Sequence, residues 1–370
     1  MPANMMNTDF KCPSVFVIAE AGVNHDGDLG LALELAEVAA ECGADAVKFQ
    51  SFSAEKLVAR GLPAAAYQNQ NIGYEQDQID VLKGLELSQD QTRCIAEKCE
   101  AIGIEFLSTA FDADSLAFLV HEIGVRKLKI ASGEITNGPL LFKHATAGLP
   151  ILLSTGMTSF AEIDSALFVL AAGFSGNAPS AKSIAELTNE RDFVVPEFPE
   201  KVTLLQCTTQ YPAPVAESNI RAMKSMRDRY RLDVGFSDHT KGGVAAIVAV
   251  ANGASVIEKH ITTDNEKTSG PDHKASMNPD EFREFVRQIR VAEVALGTDQ
   301  KQVQPSEAQN IVAARKNIVA AQDIEKGERF SEQNLKTMRA GRGLSPMHYW
   351  RLLGTIAGRK YTDGDPIEEE

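Results

Sequence analysis

The sequence predicts a (β/α)8 TIM barrel followed by a smaller C-terminal domain. Three observations carry this reading. Eight short apolar runs recur along the first 260 residues, each ending in polar or charged residues. Six of the intervals between them read as helix, which is the strand-helix rhythm of a closed parallel barrel. The chain's 370 residues exceed the roughly 250 that such a barrel needs, and the pattern changes after residue 312.

The strand runs are Val15 to Glu20, Ala44 to Gln50, Ile104 to Thr109, Lys127 to Ser132, Ile151 to Thr155, Val202 to Thr208, Val234 to His239 and Ala254 to His260. The first helix is expected from Leu29 to Glu41, with Gly43 as its stop. Further helices are expected near 89–102, 112–122, 138–147, 160–173, 218–229, 243–252 and 279–296, with Asp112, Asn137 and Pro279 as start signals. The Gln-, Asn- and Ala-rich interval 53–80 reads as a flap over the barrel mouth. Residues 174–200 read as a polar surface insertion without catalytic content. The barrel domain is placed at 1–296, a linker at 297–312, and a module of short strands and turns at 313–370.

Composition narrows the partners. A net charge of −14 argues against nucleic acid and against an anionic membrane surface, since both need positive protein surface. An anionic substrate remains compatible, because a few lysines in a cleft outweigh distant, screened acidic groups. No run approaches the ~18 apolar residues of a membrane span, and no basic-then-apolar N-terminal signal is present. Five cysteines without a CxxC pair read as reduced, mostly buried thiols of a cytoplasmic protein.

In a barrel of this kind the chemistry sits where the strands end. Those ends carry Glu20, Lys48, Gln50, Ser108, Thr109, Lys129, Ser132, Glu134, Ser154, Thr155, Thr208, Ser237, Asp238, His239, Glu258 and His260. Structural stability alone would not place so many polar groups at buried strand ends. His239 and His260 end neighbouring strands, where two imidazoles either converge on a divalent metal or hydrogen-bond within the barrel. Lys48 and Lys129 each lie on a strand, and a lysine in a barrel mouth is costly unless it meets an anion. Two lysines with hydroxyls nearby point to a phosphate site; a Schiff-base lysine is the rival reading. Glu20 and Glu134 serve either as general acid or base or as structural partners of the lysines. His25, in the turn Asn24-His25-Asp26-Gly27, is either a ligand or a turn residue. The loop Gly270-Pro271-Asp272-His273-Lys274 is a candidate for sugar contact.

These segments resemble the sialic acid synthase family. The resemblance rests on Ala19-Glu20-Ala21-Gly22-Val23-Asn24-His25, Val47-Lys48-Phe49-Gln50, Lys129-Ile130-Ala131-Ser132-Gly133-Glu134, Leu153-Ser154-Thr155-Gly156-Met157, Tyr211-Pro212-Ala213-Pro214, Ser237-Asp238-His239-Thr240, Ile257-Glu258-Lys259-His260 and Gly270-Pro271-Asp272-His273-Lys274, in order along nearly the whole chain. The C-terminal segments Ala314-Arg315-Lys316-Asn317-Ile318-Val319-Ala320 and Arg339-Ala340-Gly341-Arg342-Gly343-Leu344 resemble the antifreeze-like (SAF, β-clip) domain of these synthases.

The resemblance implies a transferase that condenses phosphoenolpyruvate with an N-acylated mannose-type sugar to give a nine-carbon 2-keto acid. N-acetylmannosamine, giving N-acetylneuraminate, is the leading acceptor. The alternative is 2,4-diacetamido-2,4,6-trideoxymannose, giving N,N'-diacetyllegionaminate. A pseudaminate synthase and a non-catalytic glycan-binding barrel rank below both. The resemblance implies a divalent cation, Mn2+ before Mg2+ or Co2+, on His239 and His260. It assigns substrate contacts to Lys48, Gln50, Thr109, Lys129, Ser132, Thr208, Tyr211, Ser237 and Asp272, and catalytic roles to Glu134, Glu20 and Lys48. It further implies a domain-swapped homodimer in which Arg339 of one subunit reaches the sugar's N-acyl group in the other. The family's usual proline is replaced by Ala110 and by Ala131, and Arg342 adds a second charge beside Arg339.

Overall fold

The computed structural model describes residues 14–63, 77–179, 201–266 and 272–369. Its elements run β1 (Phe16–Gly22), α1 (Leu29–Glu41), β2 (Ala46–Ser51), α2 (Ala54–Leu57), α3 (Gln78–Lys83), α4 (Gln89–Ile102), β3 (Glu105–Ala110), α5 (Ala113–Phe118), β4 (Leu128–Ile130), α6 (Gly138–Thr146), β5 (Ile151–Ser154), α7 (Phe160–Phe174), β6 (Val202–Cys207), α8 (Arg221–Tyr230), β7 (Asp233–Asp238), α9 (Val244–Ala251), β8 (Val256–His260) and α10 (Pro279–Leu296). The eight strands are parallel and close into a barrel, with β8 paired back onto β1.

Local chemistry explains the boundaries. The Asp28 carboxylate accepts from the Leu31 amide and starts α1. Ser88, Ser159 and Asn278 form capping boxes with Gln91, Glu162 and Glu281, which start α4, α7 and α10. Asp112 caps α5, which runs on into a π turn over Leu119–Ile123 and stops at Gly124. In α10, Phe282, Phe285, Val286 and Ile289 are buried at helical spacing and fix that helix to the barrel. Truncating Phe282 to alanine would cost about 3–5 kcal/mol.

The barrel has two cores. One lies between strands and helices and includes Val17, Ala19, Val47, Phe49, Leu204, Val234 and Ile257. The other fills the lumen floor with Ile18, Ala46, Leu107, Leu152, Leu205 and Val256. Alternate residues of one strand thus serve opposite faces. At the top of β1 the register with β2 slips between Glu20 and Gly22. Gly22 takes φ +55°, and a side chain there would crowd the Glu20 carboxylate at 3.3 Å.

The loop after β2 contains α2 and α3; the remainder of the expected flap, 64–76, lies outside the described residues. The expected insertion is shorter at its start, because α7 continues to Phe174. Ser175 leaves α7 and Lys201 enters β6, so this connection hangs from the N-terminal ends of the strands, opposite the mouth. Residues 180–200 of it lie outside the described residues.

The chain divides into two compact units between Gly297 and Thr298. The stretch expected as a linker differs from that reading: α11 (Ala308–Ala314) starts within it, preceded by a single turn at Pro305–Glu307. None of its residues is buried, so no periodic apolar face announces it in the sequence. In the second unit β9 (Asn317–Ala320) pairs antiparallel with β10 (Leu335–Met338), and α12 (Tyr349–Leu352) follows. Ile318, Ala320, Ile324, Phe330, Leu335, Ala357, Tyr361 and Ile367 form its own core. Among the described residues no helix is long and apolar enough to cross a membrane.

Candidate active site

Two residues above the apolar lumen floor, the barrel changes character. Ile18, Ala46, Leu107, Leu152, Leu205 and Val256 are followed at i+2 by Glu20, Lys48, Thr109, Ser154, Cys207 and Glu258. Lys129 on β4 and Ser237 on β7 complete a ring with one residue from each strand, all at most 5% exposed. The period-two alternation of a strand puts all eight on the lumen side; six have the apolar residue below them, while Lys129 and Ser237 stand above Lys127 and Gly235.

Within the ring, the Lys48 ammonium lies 2.6 Å from Glu20 Oε2 and 3.5 Å from Glu258 Oε2, and it donates to Thr109 Oγ1 at 3.2 Å. Lys129 donates to Ser154 Oγ at 2.8 Å and faces Glu258 Oε1 across the barrel at 3.7 Å. Ser237 donates to Glu258 Oε1 at 2.7 Å. Burial pushes the Lys48 ammonium down, but Glu20 and Glu258 overcome it and hold its pKa above the ordinary value. Lys129 goes the other way: burial lowers it, with Glu258 opposing. The two carboxylates split as well. Burial lifts Glu20 to about 7 against the pull of Lys48, whereas Lys129 and Lys48 override burial at Glu258 and hold it near 2. Paired charges in so dry a site tolerate burial only because they neutralise one another. The ring thus gathers two lysines and two carboxyls whose pKa values burial and pairing push in opposite directions.

His239 and His260 stand just above, with ring centroids 5.4 Å apart, and Tyr211 lies beside both at 4.3 and 5.3 Å. His239 Nδ1 donates to the Thr208 carbonyl at 2.7 Å, so Nε2 carries the lone pair. Ser237 Oγ is 3.3 Å from that Nε2, but its single proton is committed to Glu258. His260 Nδ1 is buried without a hydrogen-bond partner. Burial lowers both imidazoles below the ordinary value, most of all His260, and keeps them in the neutral form that binds metals. The donor set therefore fits a divalent cation. Among the described residues no third His, Cys, Asp or Glu completes the group, which leaves its other positions to substrate oxygens and water.

Ser132 and Glu134 occupy a single helical turn after β4. Ser132 Oγ accepts from the Gly156 amide at 3.0 Å and lies 3.0 Å from Cys207 Sγ. Gly156 permits this approach, since a Cβ there would fall 2.4 Å from Thr209 Oγ1 and 2.8 Å from Ser132 Oγ. Glu134 is half-buried above the ring and accepts from Asn137 Nδ2 at 2.7 Å. Gln50 is half-buried at the mouth, and Asp272 is buried on the loop after β8, where burial raises its carboxyl to about 6. Gly270 and Pro271 of that loop lie outside the described residues. A cavity of about 1070 Å³ opens beside the ring between the loops after β5 and β6, lined by Thr155, Met157, Phe160, Cys207, Thr208 and Thr209 among others. It contains none of the lysines or histidines, so it adds room beside the charged centre.

Some sequence expectations are adjusted. The Thr208 hydroxyl donates to the Glu217 carbonyl at 2.8 Å, and the Thr208 carbonyl accepts from His239, so this residue lines the cavity and orients His239 as well. Thr209, one position on and in lumen phase with Leu205 and Cys207, has the buried hydroxyl without a partner. His25 is a buried turn residue: Nδ1 accepts from the Gly27 amide at 3.0 Å, and burial lowers its pKa to about 4. Cys207 is buried, as expected, but it faces the ring. Glu258, the charge that joins both lysines, stood among the strand ends without a role; its i+2 spacing to His260 was the available signal. In the second unit Arg339 is exposed at the end of β10, while Arg342 lies 3.8 Å from Glu368.

Residues 35–301 match the NeuB family. The chain belongs to the NeuB family. It is 44% identical over 353 residues to the N,N'-diacetyllegionaminic acid synthase of Campylobacter jejuni, covering 95% of this chain and 98% of that protein. It is 41% identical over 352 residues to the Legionella pneumophila protein of the same name, covering 95% and 93%. The crystal structure of N-acetylneuraminic acid (sialic acid) synthetase from Leptospira borgpetersenii matches with a TM-score of 0.66 and 32% identity, covering 80% of this chain and 90% of that one. The chain is thus a NeuB-type synthase, an enzyme built on a (β/α)8 barrel, as its motifs led one to expect.

Proposed function

We propose that this NeuB-type synthase is a transferase that condenses phosphoenolpyruvate, an N-acylated mannose-type aldehyde and water into a nonulosonic acid and phosphate. The observation that carries this is the buried ring of Lys48, Lys129, Glu20 and Glu258 beneath two neutral imidazoles. Of the two acceptors considered, 2,4-diacetamido-2,4,6-trideoxymannose is favoured by the relatives at 44% and 41% identity, both named for diacetyllegionaminic acid. N-acetylmannosamine is the second reading, favoured by the Leptospira structure at 32%.

Lys48 and Lys129 hold the phosphate and carboxylate charges of phosphoenolpyruvate, with Thr109 and Ser132 donating hydroxyl protons and Ser237 turning its own proton from Glu258 to the bound anion. Thr208 belongs to the same set, and Thr209, whose buried hydroxyl has no partner, is added to it. His239 and His260 would hold a divalent cation, Mn2+ before Mg2+ or Co2+, which would supply Lewis-acid polarisation of the sugar's aldehyde. Glu20, poised near 7, exchanges a proton with a sugar hydroxyl. Glu134 stabilises the positive character at carbon 2 after carbon 3 has attacked and takes a proton from the water that adds there; the tetrahedral intermediate then expels phosphate by cleavage of its C–O bond. Gln50, Tyr211 and Asp272 orient the sugar. The second unit acts as an antifreeze-like (SAF) module in a domain-swapped homodimer, with Arg339 as its contact to the N-acyl group; Arg342 is drawn toward Glu368.

Phosphate release with each sugar, compared by kcat/KM, tests the reading. The diacetamido sugar is expected to be preferred. Preference for N-acetylmannosamine overturns the acceptor assignment, and no phosphate release with either overturns the function. A Schiff-base use of Lys129 requires borohydride trapping of phosphoenolpyruvate on the enzyme, and none is expected.

A further inference from the structure

β1 and β8 meet where the barrel closes, and the chain does not connect them directly. The loops beyond these two strands are joined instead by a polar network shielded from water. His273, 0% exposed, stands between partners from both loops. Its Nδ1 lies 2.7 Å from Thr262 Oγ1, and its Nε2 lies 3.0 Å from Asp26 Oδ1. A carboxylate only accepts, so Nε2 carries a ring proton, while the Thr262 hydroxyl lies between Nδ1 and the Asp264 carbonyl, 3.2 Å away. Alongside, Asn24 Nδ2 donates to the Ile261 carbonyl and to Ser276 Oγ, both at 2.8 Å. Ser276 Oγ passes its own proton to the Asp272 carbonyl at 2.7 Å. Asp272 is therefore held twice, at its carbonyl by Ser276 and through its neighbour's imidazole.

The Asp-His-Thr order looks like a nucleophile set, but Thr262 is also 0% exposed and no reacting carbon can reach it. Asp26 itself sits at φ +51°, a strained position that persists only where surrounding contacts overdetermine it. Two buried side chains, His273 and Thr262, tied across the seam to the half-buried Asp26 define a single loop position.

We propose that Asp26, His273 and Thr262, with Asn24 and Ser276, form a positioning latch that holds Asp272 in the mouth for the sugar acceptor. His273 is then a positioning residue, which sets acceptor affinity without touching substrate. This rests on the reading of Asp272 as an acceptor contact.

The test uses the full-length enzyme supplied with Mn2+, and measures KM for each substrate with the other saturating. His273→Leu and Asp26→Gly, the latter free of strain at positive φ, are expected to raise the acceptor KM roughly 10-fold, the scale of a lost buried hydrogen bond. The phosphoenolpyruvate KM should stay within about two-fold. Asp26→Asn keeps an oxygen that accepts from Nε2 and should restore near-normal acceptor KM. Asp272→Ala is the reference. If it raises the acceptor KM while His273→Leu and Asp26→Gly do not, the latch is overturned and the assignment of Asp272 stands. If Asp272→Ala leaves the acceptor KM unchanged, both fall. Equal rises in both KM values in the His273 and Asp26 variants mean general loosening and also overturn the latch.

Discussion

Asp272→Asn should make the barrel more stable as it makes the enzyme worse. The carboxyl is 8% exposed, and burial raises it from 3.8 to about 6, with His273 opposing. The native state thus holds this proton more tightly than the unfolded chain. Below pH 3.8 both states are protonated and the site costs nothing. As pH rises from 3.8 to about 6 the unfolded chain ionises first, and stability is lost across that window. At about 1.4 kcal/mol per tenfold change in proton affinity, the loss reaches about 3 kcal/mol at pH 8. Asparagine carries no charge, so its contribution is flat. The variant should gain up to ~3 kcal/mol at pH 8 and about half that at pH 5, roughly 5–10 °C and 3–5 °C on the barrel transition. Thermal melting of both proteins at the two pH values, by calorimetry, reads this directly. A gap that does not grow with pH, or a variant that melts lower at pH 8, would refute the reasoning. Acceptor kcat/KM should fall in the same variant.

Lys129→Ala should weaken phosphoenolpyruvate binding by about 1.5–3 kcal/mol, or roughly 10- to 150-fold, because it removes a charge-assisted contact and leaves Glu258 less well paired; unchanged affinity by titration calorimetry would give the lysine another job. Chelation should abolish turnover and Mn2+ should restore it better than Mg2+ or Co2+, while His239→Ala and His260→Ala should each lose Mn2+ binding measured by electron paramagnetic resonance; full activity of chelator-treated enzyme sinks the metal assignment. Arg339→Ala and Glu134→Gln subunits, each inactive alone, should partly restore activity on mixing, since a trans arrangement leaves one site of each mixed dimer intact. Mixed dimers that form and remain inactive would place the C-terminal module in cis.

The barrel was legible because its strands are short apolar runs that end abruptly in charge, and because capping residues such as Asp112 and Asn137 announce the helices between them. Parity carried the site: Lys48 with Gln50, and Ser237 with His239, share a face by the period of a strand. The same arithmetic reaches Glu258 from His260 and Thr209 from Cys207, but a polar residue beyond a strand end has no fixed phase, and Thr208 competed for the role. Cys207 was counted with the inert thiols since composition does not say which face a cysteine takes. The partnerships of Asn24 with Ser276 and of Asp26 with His273 span about two-thirds of the chain, and only the closure of the barrel brings them together. The helix at Ala308–Ala314 was obscured by its brevity and its polar flanks.

The connection between Ser175 and Lys201 has a practical consequence. It leaves and re-enters at the closed end of the barrel, beneath the apolar floor of Ile18, Leu107 and Leu205, while substrates come and go at the other end. A tether to a solid support fixed at Ser175 or Lys201 would attach on the side of the barrel away from the charged ring.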